Sequence, residues 1–334
     1  MKVDSELPFG ISGIPEKIRE VEAAGFSGAL TLETGHDPFL PLVLAAEHSQ
    51  KLDLLTGIAV AFARNPVNLA AIGNDLNGYS RGRFIMGIGS QIRPHIENRF
   101  SMPWSKPAPR MRELIQAMRA IWANWYDGVP LNFRGEFYRH TLMTPVFTPT
   151  PSESGPPRVF LAAVGPMMTE VAADLCEGML VHPLTSARYL REHTLPVIEQ
   201  GLAKRGLSRK DFELSYPVFV VSGQTQEAFA ESKKAIKQRI AFYASTPAYR
   251  RVLETHGWGD LQPELTMMSK QGRWEEMGEL IDDDILNTFA VVGEPDTIVP
   301  SIKERYTKLV DRVTLSFNFV TPEQRPALIK QLAS

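Results

Sequence analysis

Leu54-Leu55-Thr56-Gly57-Ile58-Ala59-Val60-Ala61 is almost wholly apolar. A second such run, Arg83-Phe84-Ile85-Met86-Gly87-Ile88-Gly89, follows it after a helical interval at Pro66–Tyr79. A strand that is apolar at successive positions is buried on both faces. Such strands alternating with helices predict a parallel sheet covered on both sides. The rhythm extends outward in both directions. Upstream, Val3–Leu7 reads as a short strand and Pro15–Ala24 as a helix, with Ile18 and Val21 on one face and Gly25 just past its end. Ala29–Leu32 is again a strand and Pro38–Leu52 a helix. Downstream, Val159–Ala163, Gly178–Val181, Ser215–Val221 and Arg312–Phe317 read as strands, and Met167–Cys176, Ala187–Arg205, Thr225–Ala244 and Asp296–Lys308 as helices. The strands number eight, or nine if Phe289–Val292 joins the sheet. Eight βα units predict an α/β fold, a closed (β/α)8 TIM barrel. Such a barrel takes ~250 residues, leaving roughly 80 for insertions. Two segments fit as insertions within a single domain spanning 1–334. Asp127–Pro157 holds a hairpin-like Pro130–Tyr138 and a proline-rich run, and Ser245–Asp284 breaks the rhythm with Trp258 and Trp274.

Composition narrows the function classes. With 43% hydrophobic and 22% charged residues, wholesale disorder is excluded. A formal charge of −2 leaves no global basic excess for nucleic acid or an anionic membrane surface. The lone Cys176 forms no internal disulfide and excludes zinc sites built from several thiolates; within an apolar helix it reads as core. The first ten residues lack a signal-peptide pattern, and no apolar run reaches membrane-spanning length, so a soluble cytoplasmic protein is expected. Phosphate-loop and HExxH motifs are absent. Gly78-Tyr79-Ser80-Arg81-Gly82 has the spacing of a nucleophile elbow, but it follows a helix and precedes a strand, the reverse of what that motif needs. The histidines show no metal-ligand spacing, and Asp282-Asp283-Asp284 reads as a solvated turn, so no metal is expected.

Several motifs, taken in order, resemble one family. Glu22-Ala23-Ala24-Gly25-Phe26, Glu33-Thr34-Gly35-His36-Asp37-Pro38-Phe39, Gly82-Arg83-Phe84-Ile85-Met86-Gly87-Ile88-Gly89-Ser90, Leu161-Ala162-Ala163-Val164-Gly165-Pro166 and Val291-Val292-Gly293-Glu294-Pro295 span nearly the whole chain. Together the chain resembles the bacterial-luciferase-like flavin and deazaflavin oxidoreductases, and most of all the subgroup that uses coenzyme F-420. The resemblance implies a barrel with insertions, a homodimer, and a cofactor laid across the barrel mouth. It also implies a non-proline cis peptide and bulge against the cofactor ring, which falls at Gly57–Ile58.

Active sites of such barrels lie at the carboxyl ends of the strands, so the residues just after each apolar run are the candidates. Glu33 and His36 follow the second strand. His36 can donate to a ring carbonyl or move a proton near neutral pH, with Glu33 orienting it; the plainer reading has His36 and Asp37 cap the next helix. The family carries an acidic residue directly before the histidine, whereas here Thr34 and Gly35 intervene. After the fourth strand, Ser90 can bond a cofactor, and Arg93 and His95 can meet cofactor or substrate. After the fifth, Ala163, Val164 and Gly165 lead into Pro166 at a helix start. Free N–H groups and the helix dipole there suit a phosphate, with Thr169 adding a hydroxyl. His182 ends the sixth strand and can touch cofactor or substrate, or serve as a histidine bonded to backbone. Phe100, Trp104, Tyr243, Trp258 and Trp274 are candidate apolar walls, though packing is the plainer role for large rings. The expected activity is hydride transfer between coenzyme F-420 and a small organic substrate, with Glu33 or His36 handling any coupled proton. An FMN monooxygenase and a non-catalytic cofactor-binding protein are the alternatives.

Overall fold

The computed structural model describes all 334 residues. Eight parallel strands close into a barrel: β1 (Lys2–Glu6), β2 (Gly28–Thr31), β3 (Asp53–Thr56), β4 (Phe84–Gly89), β5 (Arg158–Ala163), β6 (Gly178–Val181), β7 (Glu213–Pro217) and β8 (Arg312–Thr314). Neighbours in sequence are neighbours in the sheet, and closure comes from β1 pairing with β8 at Val3↔Val313. The ninth candidate strand lies outside. Ala290–Val292 pairs in parallel with Phe219–Val221 in a separate two-stranded ladder. The expected strand Ser215–Val221 is accordingly split, with Glu213–Pro217 in the barrel and the rest beyond it.

Alternation along each strand sorts the side chains. One set points outward and packs under the helices in a continuous apolar shell that includes Val3, Leu54, Phe84, Met86, Val159, Leu161 and Val313. The other fills the barrel in layers. Its middle is apolar, with Leu30, Leu55, Ile85 and Phe160 packed together and Leu180 against them. Its floor, at the amino ends of the strands, is ionic. Arg312, fully buried, donates to both oxygens of Asp4 at 2.8 Å, to Asp53 at 2.6 Å and to Glu213 at 3.0 Å. Lys2 and Arg158 bridge Asp53 and Glu213 from outside, so three cations meet three carboxylates. Gly28 makes room for this cluster, since a Cβ there would stand 2.6 Å from Asp4 Oδ1 and 2.7 Å from Arg312 Nη2.

Two segments stand outside the βα repeat. The first contains a small antiparallel hairpin, Phe133–Arg134 with Arg139–His140. The helix Pro107–Asp127 holds it, because Glu113 accepts the backbone N–H groups of Glu136, Phe137 and Tyr138. The second is helical and packs on the helix Gln226–Ala244 around its own apolar cluster, including Phe219, Ile240, Leu265 and Phe289. The helix expected at Ala187–Arg205 is interrupted by a wide turn at Leu190–Thr194 before Leu195–Lys204. Pro196 has no N–H to continue a regular ladder there. No helix is long and apolar enough to cross a membrane.

Candidate active site at the barrel mouth

The inward alternation that places Asp4, Leu55, Phe160 and Leu180 in the barrel continues to its carboxyl end. It brings Glu6, Leu32, Gly57, Gly89, Ala162, His182 and Pro217 to the mouth, one from each of β1 to β7 or the residues just beyond them. The β3–β5 sector is built on close backbone approach. The Gly57–Ile58 peptide is cis, as the resemblance implies. A Cβ on Gly87 would fall 1.7 Å from the Thr56 carbonyl oxygen, and one on Gly89 would fall 2.6 Å from Ile58 Cδ1 and 3.3 Å from Ala162 Cβ. The bulge after β3 therefore presses against β4, and β4 against β5, with only hydrogen atoms between.

Gly165 ends the segment after β5 in extended backbone and Pro166 opens a ten-residue helix, Pro166–Leu175. The first helical bond runs from Thr169 N to Gly165 O, so the N–H groups of Met167 and Met168 precede the ladder. No atom lies within 4 Å of a Cβ placed on Gly165, leaving the turn open. Ala163 points outward into the apolar shell and is buried, whereas Val164 is half-buried on the mouth side. Thr169 departs from expectation. It is buried, and its hydroxyl donates back to the Gly165 carbonyl at 3.1 Å, so it faces the helix rather than a ligand at the turn.

The residues after β2 are arranged differently from the sequence reading. Glu33 does not meet His36. Its Oε2 accepts from the Val60 N–H and from Arg64, both at 2.6 Å, tying the β2 loop to the chain that leaves the cis peptide. Asp37 takes the helix-capping role, accepting from the Phe39 and Leu40 N–H groups, and also binds Arg64. His36 is exposed on the rim with its ring near Gly10. Ser90 is half-buried and donates to the Gln91 carbonyl at 3.1 Å. Arg93 and His95 are exposed, and Arg93 is paired with Glu97 at 2.8 Å.

His182 tops the inward face of β6. Its Nδ1 accepts the Leu184 N–H at 3.1 Å, its ring stacks on Tyr249 with centroids 4.1 Å apart, and Tyr243 meets it edge-on at 4.7 Å. Burial pushes the imidazole down to about 3, so it is neutral at physiological pH. Of the proposed walls, Tyr243 alone contacts a mouth residue in this way. Trp104 packs on Phe62, Trp258 on His256, and Phe100 under the Arg99 guanidinium, while Trp274 is half-exposed against Phe242.

Sequence reading missed Glu6 and Arg64. Glu6 lies two residues after Asp4 on the same face of β1, and its carboxyl is raised by desolvation against the opposing pull of Arg239. It forms no ion pair. The period-two spacing from Asp4 was the available signal. Cys176 is buried core with its thiol pushed up by burial, as expected.

Comparison with known proteins adds three findings. The family described as luciferase-like monooxygenase matches residues 3–312. An uncharacterized protein of Mycobacterium tuberculosis is 52% identical over 97% of this chain and 95% of its own, and a putative coenzyme F420-dependent oxidoreductase of the same organism is 27% identical over 85% and 84%. Among solved structures, the coenzyme F420-dependent tetrahydromethanopterin reductase from Methanopyrus kandleri superposes with a TM-score of 0.77 at 21% identity, covering 99% of this chain and 97% of that one.

Proposed function

The chain belongs to the luciferase-like monooxygenase family, an oxidoreductase family dependent on flavin or deazaflavin, and on that premise we propose that it transfers a hydride between coenzyme F-420 and a small organic substrate. One observation carries this reading: the Gly57–Ile58 bulge, Gly89 and the open Gly165 turn occupy the same rim on three adjacent strands. A planar ring with a phosphorylated tail needs that combination, a backbone floor for the ring and free N–H groups for the anion. The Met167 and Met168 N–H groups and the clear space at Gly165 fit such a tail, with Val164 directly before the turn and Ser90 at the end of the neighbouring β4. A bound deazaflavin supplies hydride transfer without one-electron steps.

The chain's own part is orientation and proton handling. Glu33, clamped by Arg64, holds the segment after the bulge rather than exchanging protons. Glu6, on the inward face of β1 but open to solvent at the mouth and with its carboxyl raised, is the better-placed group to hold a proton, with His36, also exposed, at the rim as the second. Within the same reading, residues 1–334 work as one domain, and two copies pair in the cytoplasm.

Purified protein, its retained cofactor identified by absorbance and mass, tests the assignment. So does titration with coenzyme F-420 and FMN. Tight binding of FMN alone, with oxygen consumption once it is reduced, would replace the hydride reading with the monooxygenase one. Binding without turnover across a substrate panel would favour a carrier. Gly165→Asp puts a negative charge where the phosphate sits without steric conflict, and should weaken cofactor binding at least about tenfold, one like-charge contact of ~1.4 kcal/mol. Unchanged affinity would remove the phosphate from that turn.

A further inference from the structure

Gly178, Leu180 and His182 share the inward face of β6, so the imidazole is the last group of the barrel lining on that side. Acceptance of the Leu184 N–H by Nδ1 leaves the ring proton on Nε2. Tyr249 from the second insertion stacks on one face, and Tyr243 from the long helix closes the edge. His182 Nε2, Tyr243 Oη and Tyr249 Oη make no hydrogen bond within the protein, and none is sealed from solvent. Three side chains from three elements thus pack ring to ring at the mouth, each with a polar atom that has no partner in the protein. Burial holds the imidazole far down and pushes Tyr249 up to about 12, with Tyr243 adding to the latter, and no charged side chain enters either balance. This part of the mouth resists positive charge and negative charge alike, as expected where desolvation dominates.

We propose that His182 is a specificity-determining positioning residue, whose fixed Nε2–H, with the two phenols beside it, seats the oxygen of an uncharged carbonyl substrate. The seat deepens the hydride-transfer reading and rests on it for its use in catalysis. A carbonyl oxygen accepts from the N–H and loses little hydration. A carboxylate or phosphate loses its water without gaining a cation. His182 keeps its proton throughout and takes no part in acid–base chemistry.

Full-length protein with nitrogen-15 histidine, titrated at neutral pH with benzaldehyde and separately with benzoate, tests this. The His182 ring is followed by long-range proton–nitrogen NMR and assigned by its loss in His182→Phe. The expected result is an Nε2–H ring whose Nε2 signal moves with benzaldehyde and stays still with benzoate. His182→Gln, which keeps a donor at the ε position, should hold benzaldehyde affinity within about twofold, and His182→Phe should lower it about tenfold, the loss of one neutral hydrogen bond. An Nδ1–H or doubly protonated ring overturns the proposal. So does benzoate binding as tightly as benzaldehyde, or equal aldehyde affinity in His182→Phe. If His182→Phe does not fold, His182→Gln supplies the assignment, and the wild-type tautomer and the aldehyde-over-acid preference decide. None of these measurements uses a redox cofactor. Failure of coenzyme F-420 to bind would therefore sink the hydride reading separately and leave the seat to stand or fall on its own.

Discussion

Arg312→Met should destabilise the fold by about 3–5 kcal/mol, the range for leaving one partner of a buried ion pair uncompensated. The structure sets the terms of that figure. Arg312 makes four charge-assisted hydrogen bonds, two to Asp4, one to Asp53 and one to Glu213. Simple addition at ~1.5–3 kcal/mol each would give about 6–12 kcal/mol. That sum overstates the effect because Asp53 and Glu213 keep Lys2 and Arg158. Asp4 has no other partner and is fully buried, so it would have to take up a proton, and that limits the loss. Methionine fills the volume without a charge. Urea unfolding followed by circular dichroism reads the difference, with the slope of the transition checked for constancy. Asp4→Asn combined with Arg312→Met should recover a large part of the loss, because it removes the stranded charge. A loss under about 1 kcal/mol for the single variant, or no recovery in the double, would refute the ionic-floor account.

Two carboxylates of the same cluster, Asp53 and Glu213, predict acid sensitivity, while burial raises Asp4 in the opposite direction. Burial alone would raise Asp53 and Glu213, but Arg312 and the neighbouring cations outweigh it and hold both below their ordinary values of 3.8 and 4.5. Their stabilisation is therefore present above those values and is lost as the pH falls through the lower folded ones, which urea midpoints between about pH 5 and 2 would read. His182 acts in a higher window: its folded value of about 3 lies below the free value of 6.5, so the unfolded chain binds a proton that the native state refuses, and stability falls as the pH drops below 6.5. At about pH 5 this amounts to ~2 kcal/mol, which His182→Gln should abolish in the same unfolding assay. Gly87→Ala, whose added carbon would lie 1.7 Å from the Thr56 carbonyl oxygen, should force β3 and β4 apart and yield insoluble or strongly destabilised protein, read by soluble yield and thermal unfolding. Normal stability in that variant would contradict the tight approach at the bulge.

Much of the barrel was legible in the chain because βα rhythm is local. Side-chain period and helix-starting prolines depend on backbone geometry within a few residues, and they located all eight strands of the barrel. The alternation that puts Glu6 and His182 on the inner face was equally local, though it becomes informative only once the inward set is known from Asp4, Leu180 and their neighbours. Which charges meet is another matter. Asp4 and Arg312 are 308 positions apart and become partners only because β1 closes on β8. Glu33 took Arg64 instead of His36 because the bulge after β3 brings the Arg64 side chain and the Val60 N–H to the same carboxylate oxygen, a contact that spacing within the β2 loop cannot foretell. The tyrosines around His182 come from a long helix and an insertion whose docking is decided by their shared apolar cluster. Periodicity is written residue by residue, whereas pairing across a closed sheet depends on which distant strands the closure makes adjacent.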